Sequence, residues 1–221
     1  MESGTFAIVG RDGATGRLGV AVAAALPAVG AFCPAARAGI GALSVQGQVE
    51  PLLRRRIMDL LAEGAGAEEA AARIWEGDRG REGRQILVVD RSGAVAALTG
   101  EGVGGFAGHL TASDSAVGGS HLATLDVLEA MSAAFAGAPA HDLPERLLRA
   151  LEAGRREGGD SRGERSAAIR VVDRDGYPYL DLRVDEQPRA VDELRRLADL
   201  QAERFLPGYA AWVDALSRER G

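Results

Sequence analysis

The sequence predicts an α+β protein in which two mainly antiparallel sheets are flanked by helices. Three observations predict it. Strand-like runs occur in pairs joined by short turn sequences, as hairpins do. Helical periodicities also occur in pairs, between the hairpins. The order is hairpin, helix pair, hairpin, helix pair, hairpin, helix, which supplies covering layers for antiparallel sheets. With 221 residues, 46% hydrophobic and 26% charged, the chain has the balance of a globular protein able to bury a sizeable core.

The elements follow in order. Residues 5–10 (TFAIVG) are β-rich, RDGATGR is turn chemistry, and GRLGVAVAAAL resumes as a strand, so the pair reads as a hairpin. A third strand, Ile40 to Gln46, follows an Ala-Gly turn at 38–39. Pro51 opens a helix whose apolar face is Leu53, Ile57, Leu60 and Leu61, stopped by Gly64; Ala67 to Trp75 reads as a second helix. Gln85 to Val89 and Ala94 to Thr99 form a hairpin around Asp90-Arg91-Ser92-Gly93. A Gly-rich loop is expected over 100–120, leading into a helix with Leu122, Leu125, Leu128, Met131 and Phe135 on one face. In Asp142-Leu-Pro-Glu145 a capping Asp, an early Pro and a Glu three residues on announce a helix running to about Arg155. Ser166 to Asp173 and Tyr179 to Val184 pair around an Asp175-Gly176 turn, and helices from Val191 and about Gly208 close the chain. No linker or repeat divides it. The expected organisation is one domain over 5–221, preceded at 1–4 by a propeptide or a disordered start.

Composition excludes several classes. The formal net charge is −6, and no basic cluster is interleaved with aromatics, so no nucleic-acid partner is expected. All 26 basic residues are arginine, which removes every mechanism that needs a lysine base or Schiff base. Cys33 is the single cysteine, so no intrachain disulfide can form, and a reducing cytoplasm fits. The uncharged run Leu18 to Ala36 is broken by Gly19, Pro27, Gly30 and Pro34; it reads as a buried strand and a turn rather than a membrane span, so no membrane association is expected.

The motifs for bound cofactors are missing. Gly102-Val-Gly-Gly105 lacks GxGxxG spacing, and a P-loop needs the lysine this chain does not have. His109, His121 and His141 stand on separate segments without zinc-ligand spacing. Neither metal nor cofactor is expected. Cys33, in an apolar run, reads as a buried thiol.

Three stretches carry candidate chemistry beside ordinary structural readings. Residues 158–166 (GGDSRGERS) place Asp160, Arg162 and Ser166 in a flexible turn before a strand, where a solvated Asp160–Arg162 pair is equally natural. Asp181-Leu-Arg-Val-Asp185 alternates so that Asp181, Arg183 and Asp185 share a face, which either binds a ligand or meets water. Ser44-Val-Gln46-Gly-Gln48 sets polar side chains at the end of an apolar strand. Ser120, in Gly118-Gly-Ser-His121, suits a helix N-cap, and free amides there suit an anion or developing oxyanion.

Taken in order, TFAIVGRDxxTGxLGVAVA, AVGA, ARAGIGALxxQ, RQxxVVDxxGxVAAxTG, AGH, LEAMxxAF, RLLxALxAG, GGDxRGxxSAAIxVV and DLRVDExxxxVxELRRL resemble the domain-of-unknown-function 1028 family over nearly the whole chain. The resemblance implies a four-layer αββα sandwich similar to N-terminal-nucleophile hydrolases, amidases whose first residue after processing is Thr, Ser or Cys. In members beginning Met-Thr-Phe, removing Met would expose the threonine that aligns with Thr5. Here Thr5 stands behind Met-Glu-Ser-Gly, so cleavage at Gly4–Thr5 would be needed. The chain also departs from its relatives' pattern at Ala24-Ala25 and at Gly119-Ser120.

The chemistry fits that position. A threonine hydroxyl needs a base, and a free α-amino group with pKa about 7.7–8.0 is well matched to proton transfer at cellular pH. The catalytic residues expected are Thr5, Gln46, Ser120 and Asp160, with oxyanion-binding amides near Gln46–Gly47 or Gly119–Ser120. Arg37, His109, His121, Arg162, Ser166, Arg183 and Asp185 are expected to bind a small-molecule substrate, Arg183 or Arg162 holding a carboxylate and Arg37 or Arg162 supplying a local positive field. The expected activity is hydrolysis of a small linear amide or ureido compound, such as the ureidoacrylate of pyrimidine breakdown. Two alternatives remain beside it: an unprocessed hydrolase working through Asp160, Ser166, His109 or Asp185, and a non-catalytic ligand-binding or partner subunit. A homo-oligomer, dimer or higher, is expected by analogy. Phe205, Leu206, Tyr209 and Trp212 offer an apolar face for that contact or for the domain's own core.

Overall fold

The structure is a computed structural model that describes residues 2–174 and 177–219. β1 (Glu2–Ser3) leads through Gly4 into β2 (Thr5–Arg11), and β3 (Leu18–Ala24) returns beside it. A short α1 (Val29–Phe32) precedes β4 (Pro34–Arg37) and β5 (Gly41–Gln48). Helices α2 (Pro51–Ala62) and α3 (Ala67–Gly77) follow, then the hairpin β6 (Arg84–Asp90) and β7 (Val95–Thr99). A second hairpin, β8 (Phe106–Ala112) and β9 (Ser115–Leu122), leads to α4 (Asp126–Ala136) and α5 (Leu143–Arg156). β10 (Ser166–Val172) and β11 (Pro178–Val184) form the last hairpin, ahead of α6 (Ala190–Arg204) and α7 (Leu206–Glu219). The Asp175-Gly176 turn lies outside the described residues.

The fold is α+β with two antiparallel sheets. One has the order β11-β10-β3-β2-β9-β8; the other runs β1-β5-β6-β7, with β4 also on β5. Period-two alternation sorts the core into three clusters. Ala7, Val9, Val20 and Val22 meet Ala42, Leu87 and Val89 between the sheets. Phe6, Ile8, Ala21 and Ile169 face the other way, onto Met131 and Phe135 of α4, Leu147 and Leu151 of α5, and Leu194 of α6. Leu43, Val45, Ile86 and Val88 pack under Ile57 of α2 and Ile74 of α3. The α5 cap is as the sequence announces, with the Asp142 carboxylate accepting from the Glu145 N–H at 3.2 Å.

The expected loop over 100–120 is instead largely the β8–β9 hairpin. Its glycines mark close approach, not a flexible connection: a Cβ on Gly118 would meet Leu87 at 2.9 Å, and one on Gly119 would meet the Thr5 carbonyl oxygen at 2.8 Å. Ser120 is consequently a strand residue, paired with Thr5, and caps no helix. Leu122 likewise ends β9 rather than lying on α4. β4 was not expected; Pro34 stands at its first position, where a missing N–H is tolerated. Glu2 and Ser3 pair with Gln48 and Gly47. Of the C-terminal aromatics, Phe205 and Trp212 are exposed, and Phe205 stacks on Tyr209 with ring centres 5.0 Å apart.

Candidate functional site

The register of the larger sheet sets four small residues in one row. Ser166 of β10 pairs with Ala24 of β3, Ala24 with Thr5 of β2, and Thr5 with Ser120 of β9. Thr5 shares strand parity with Ala7 and Val9, so its side chain looks between the sheets. It is fully buried, and its Oγ1 has no hydrogen-bond partner among the described residues. A buried hydroxyl of this kind costs about 1–3 kcal/mol and is uncommon enough to call for an explanation.

The peptide before Thr5 is closely held. The Ala25 N–H donates to the Gly4 carbonyl oxygen at 3.4 Å. Gly4 itself is pressed against the turn that follows α5: a Cβ there would run into Asp160 Oδ2 and Arg162 Nη2. Asp160 is 2% exposed, and its carboxylate accepts from the Arg162 N–H, Nε and Nη2, each at 3.0 Å. The fold thus brings the Asp160–Arg162 pair to the Gly4–Thr5 peptide from 155 residues further along the chain. His121 sits next to Ser120, and its carbonyl accepts from the Ser161 N–H at 2.8 Å, which pins this turn to β9.

Other expected residues are committed elsewhere. Ser166 Oγ donates to the Leu26 carbonyl at 2.5 Å and accepts from the Val29 N–H at 3.0 Å, fastening the segment between β3 and α1. Gln46 belongs to a buried amide network joining the sheets. Its Oε1 accepts from Ser44 Oγ at 2.8 Å, and its Nε2 donates to Gln85 Oε1 at 2.6 Å and weakly to the Gly118 carbonyl at 3.4 Å. Gln85 Nε2 continues it to Thr99 Oγ1, the Gly108 carbonyl and the Gly119 carbonyl at 2.7, 2.8 and 3.2 Å. His109 meets Thr99 through Nδ1 at 2.8 Å, and burial holds its pKa below the ordinary histidine value. Gln85 and Thr99 were missed in the sequence. The one available signal was Gln85 standing polar at the head of the apolar run ILVV.

Arg37, Arg183 and Asp185 do not join this cluster. Arg183 gives its fork to Asp185, with Nη2 2.8 and 3.0 Å from the two carboxylate oxygens, and with Arg37 it lines a different cavity. A mainly apolar cavity of about 500 Å³ does open next to the row, lined by Ala24, Leu26, Phe32, Cys33, Gln48 and Arg84 among others. Thr5 does not line it in the uncleaved chain. Burial pushes the Cys33 thiol up to about 12, so it is no nucleophile at neutral pH. Among the described residues no group of three or more His, Cys, Asp or Glu is placed to hold a metal ion, and no helix is long and apolar enough to cross a membrane.

Comparison with known proteins gives three findings. The model of a family of unknown function, DUF1028, matches residues 5–194. The crystal structure of a DUF1028 protein from Silicibacter pomeroyi superposes with a TM-score of 0.86 at 28% identity, covering 94% of each chain. The Anbu (ancestral beta-subunit) protein of Yersinia bercovieri gives a TM-score of 0.45 at 13% identity, over 90% of this chain and 97% of the other. Among curated proteins none matches the sequence.

Proposed function

The chain belongs to the DUF1028 family, and we propose that within it this protein is an amidohydrolase of the N-terminal-nucleophile type, its layers forming an αββα sandwich and Thr5 becoming the nucleophile once residues 1–4 are removed. The observation that carries the reading is the Thr5 hydroxyl: buried, without a hydrogen-bond partner among the described residues, and next to a Gly4 carbonyl that already accepts from Ala25. Removal is proposed as an N-to-O acyl shift. Thr5 Oγ1 attacks the Gly4 carbonyl carbon, the Gly4–Thr5 C–N bond breaks, and the hydroxyl proton passes to the departing nitrogen. Water then hydrolyses the ester, leaving a Gly4 carboxylate and a free Thr5 amine. The Ala25 N–H is the donor to the oxyanion.

In the cleaved chain that amine accepts the Thr5 hydroxyl proton during attack on substrate. Asp160, beside position 4, holds the amine in place and stabilises its protonated form. The substrate class proposed is a small linear amide or ureido compound, including carboxylated ureido compounds such as ureidoacrylate. The cavity of about 500 Å³ beside Ala24 is within the usual range for such ligands, roughly 300–1,000 Å³.

The test is intact mass followed by turnover. The expected result is a chain lacking Met1–Gly4 that hydrolyses a ureido substrate, with both cleavage and turnover lost in Thr5→Val and retained in Thr5→Ser. A chain that keeps Met1–Gly4 and is still active overturns the mechanism. Burial of Thr5 within a continuous strand favours one second reading, a non-catalytic binding subunit. It predicts ligand-induced thermal stabilisation with no product.

A further inference from the structure

We propose that the arginine-lined cavity between β4, α2 and the β10–β11 hairpin is a separate binding site for a small polyanion carrying two or more phosphate groups. The cavity measures about 890 Å³ and is lined by Arg37, Arg54, Arg55, Arg170, Arg174 and Arg183, with Asp59 the single acidic residue of the lining among the described residues. These side chains come from four separate segments, so the clustering is made by the tertiary fold. It lies apart from Thr5: Arg170 is four residues beyond Ser166 on β10, about 13 Å at the rise of an extended strand.

The charge is not balanced internally. Arg55, Arg170, Arg174 and Arg183 pair with Asp59, Asp181, Asp173 and Asp185 at 3.6, 3.4, 3.7 and 2.8 Å. Asp173 is shared with Arg17 at 3.0 Å. Among the described residues Arg54 reaches only the Pro34 carbonyl oxygen, at 3.2 Å, and Arg37 has no ion-pair partner. Among the described residues two positive charges are thus left without an acidic partner in one concavity of a chain whose net charge is −6. Burial, to which the neighbouring Arg170 charge adds, lowers the Arg54 pKa from its ordinary value.

A second observation points to a ligand. Arg170 Nε is buried and donates to nothing among the described residues. A guanidinium presents its donors as a planar fork matched to phosphate oxygens; the Arg170 side chain lines the cavity and is 40% exposed, so a turn of this guanidinium brings its fork, the unused Nε included, to a ligand there. A monoanion meets one or two of these forks. A ligand with two or more phosphate groups spans from the α2 wall, at Arg54, to the β10 wall, at Arg170, and relieves the repulsion between them.

The test is calorimetric titration of the full chain with tripolyphosphate at constant ionic strength, with inorganic phosphate as the single-group comparison. Saturable one-to-one binding is expected, about tenfold or more tighter than inorganic phosphate. It should weaken about tenfold or more in Arg37→Gln/Arg54→Gln and in Arg170→Gln, and stay unchanged in Arg91→Gln, an exposed arginine elsewhere. Circular dichroism establishes that the variants fold. No saturable binding by the folded wild type, equal affinity in the site variants, or tighter binding of a single-stranded oligonucleotide than of tripolyphosphate would each overturn the proposal.

Discussion

Replacing Thr5 by valine should stabilise the uncleaved protein. Valine keeps the branched shape and exchanges the hydroxyl for a methyl group. At most buried threonines that exchange is unfavourable, because a made hydrogen bond is lost. Here Thr5 is fully buried and Oγ1 has no partner among the described residues, so the hydroxyl contributes its desolvation cost alone. Leaving such a group unsatisfied costs about 1–3 kcal/mol, and valine removes that cost while filling the same space. For a domain of this size 1 kcal/mol corresponds to about 2–4 °C in Tm, so a rise of roughly 2–12 °C is expected. The assay is urea and thermal unfolding of Thr5→Val and of wild type taken before cleavage, both with Met1–Gly4 retained as judged by intact mass. A loss of about 1 kcal/mol or more in Thr5→Val would refute the reasoning, because it would mean the hydroxyl is bonded in the folded chain. A residue that lowers stability where it stands is the pattern of a site kept for chemistry.

Other outcomes follow from named contacts. Gly4→Ala should displace the Asp160–Arg162 pair and slow appearance of the cleaved chain, read by mass against time; unchanged cleavage would contradict the close approach of that pair to Gly4. Asp142→Ala removes the α5 cap, at a cost of about 1 kcal/mol measured by urea unfolding. His109 has its folded pKa lowered by burial. Its neutral form therefore favours the fold, and its contribution is complete above the unfolded pKa of about 6.5 and is lost as pH falls from there through the folded value. His109→Gln should flatten the fall in urea midpoint between pH 7 and pH 5. Cys33, raised to about 12, should resist a thiol reagent at pH 8 in the native protein and react once urea unfolds it.

Much of the scaffold was legible in the sequence because local signals and packing agree. TFAIVG, RQILVVD and SAAIRVV are β-rich runs, and Asp142-Leu-Pro-Glu145 carries its own cap and start. The 100–120 segment misled because glycine at 118 and 119 weakens the strand signal locally, while the tertiary need for those glycines comes from Leu87 and Thr5 on other strands. At the candidate site, Thr5 and Asp160 were named in the sequence, yet neither residue's neighbours announce the other. Arg183 and Asp185, expected in the sequence to bind a substrate, pair with each other on a cavity away from Thr5. Arg54 of α2 and Arg170 of β10 carry no shared signal in the sequence, 116 positions apart; the fold places both on one cavity.

By itself the sequence determined most of the elements and their order outside β4 and the β8–β9 hairpin, the chemistry excluded by having no lysine and one cysteine, and the family pattern. These depend on residue type and on spacings within a few turns or strand pairs. Tertiary structure alone decided which side chains meet. The row Ser166, Ala24, Thr5 and Ser120 is made by strand register, Asp160 reaches Gly4 across 156 positions, and six arginines converge from four segments. Such meetings are set by how two sheets pair and stack, a property of long-range contacts that no local window encodes.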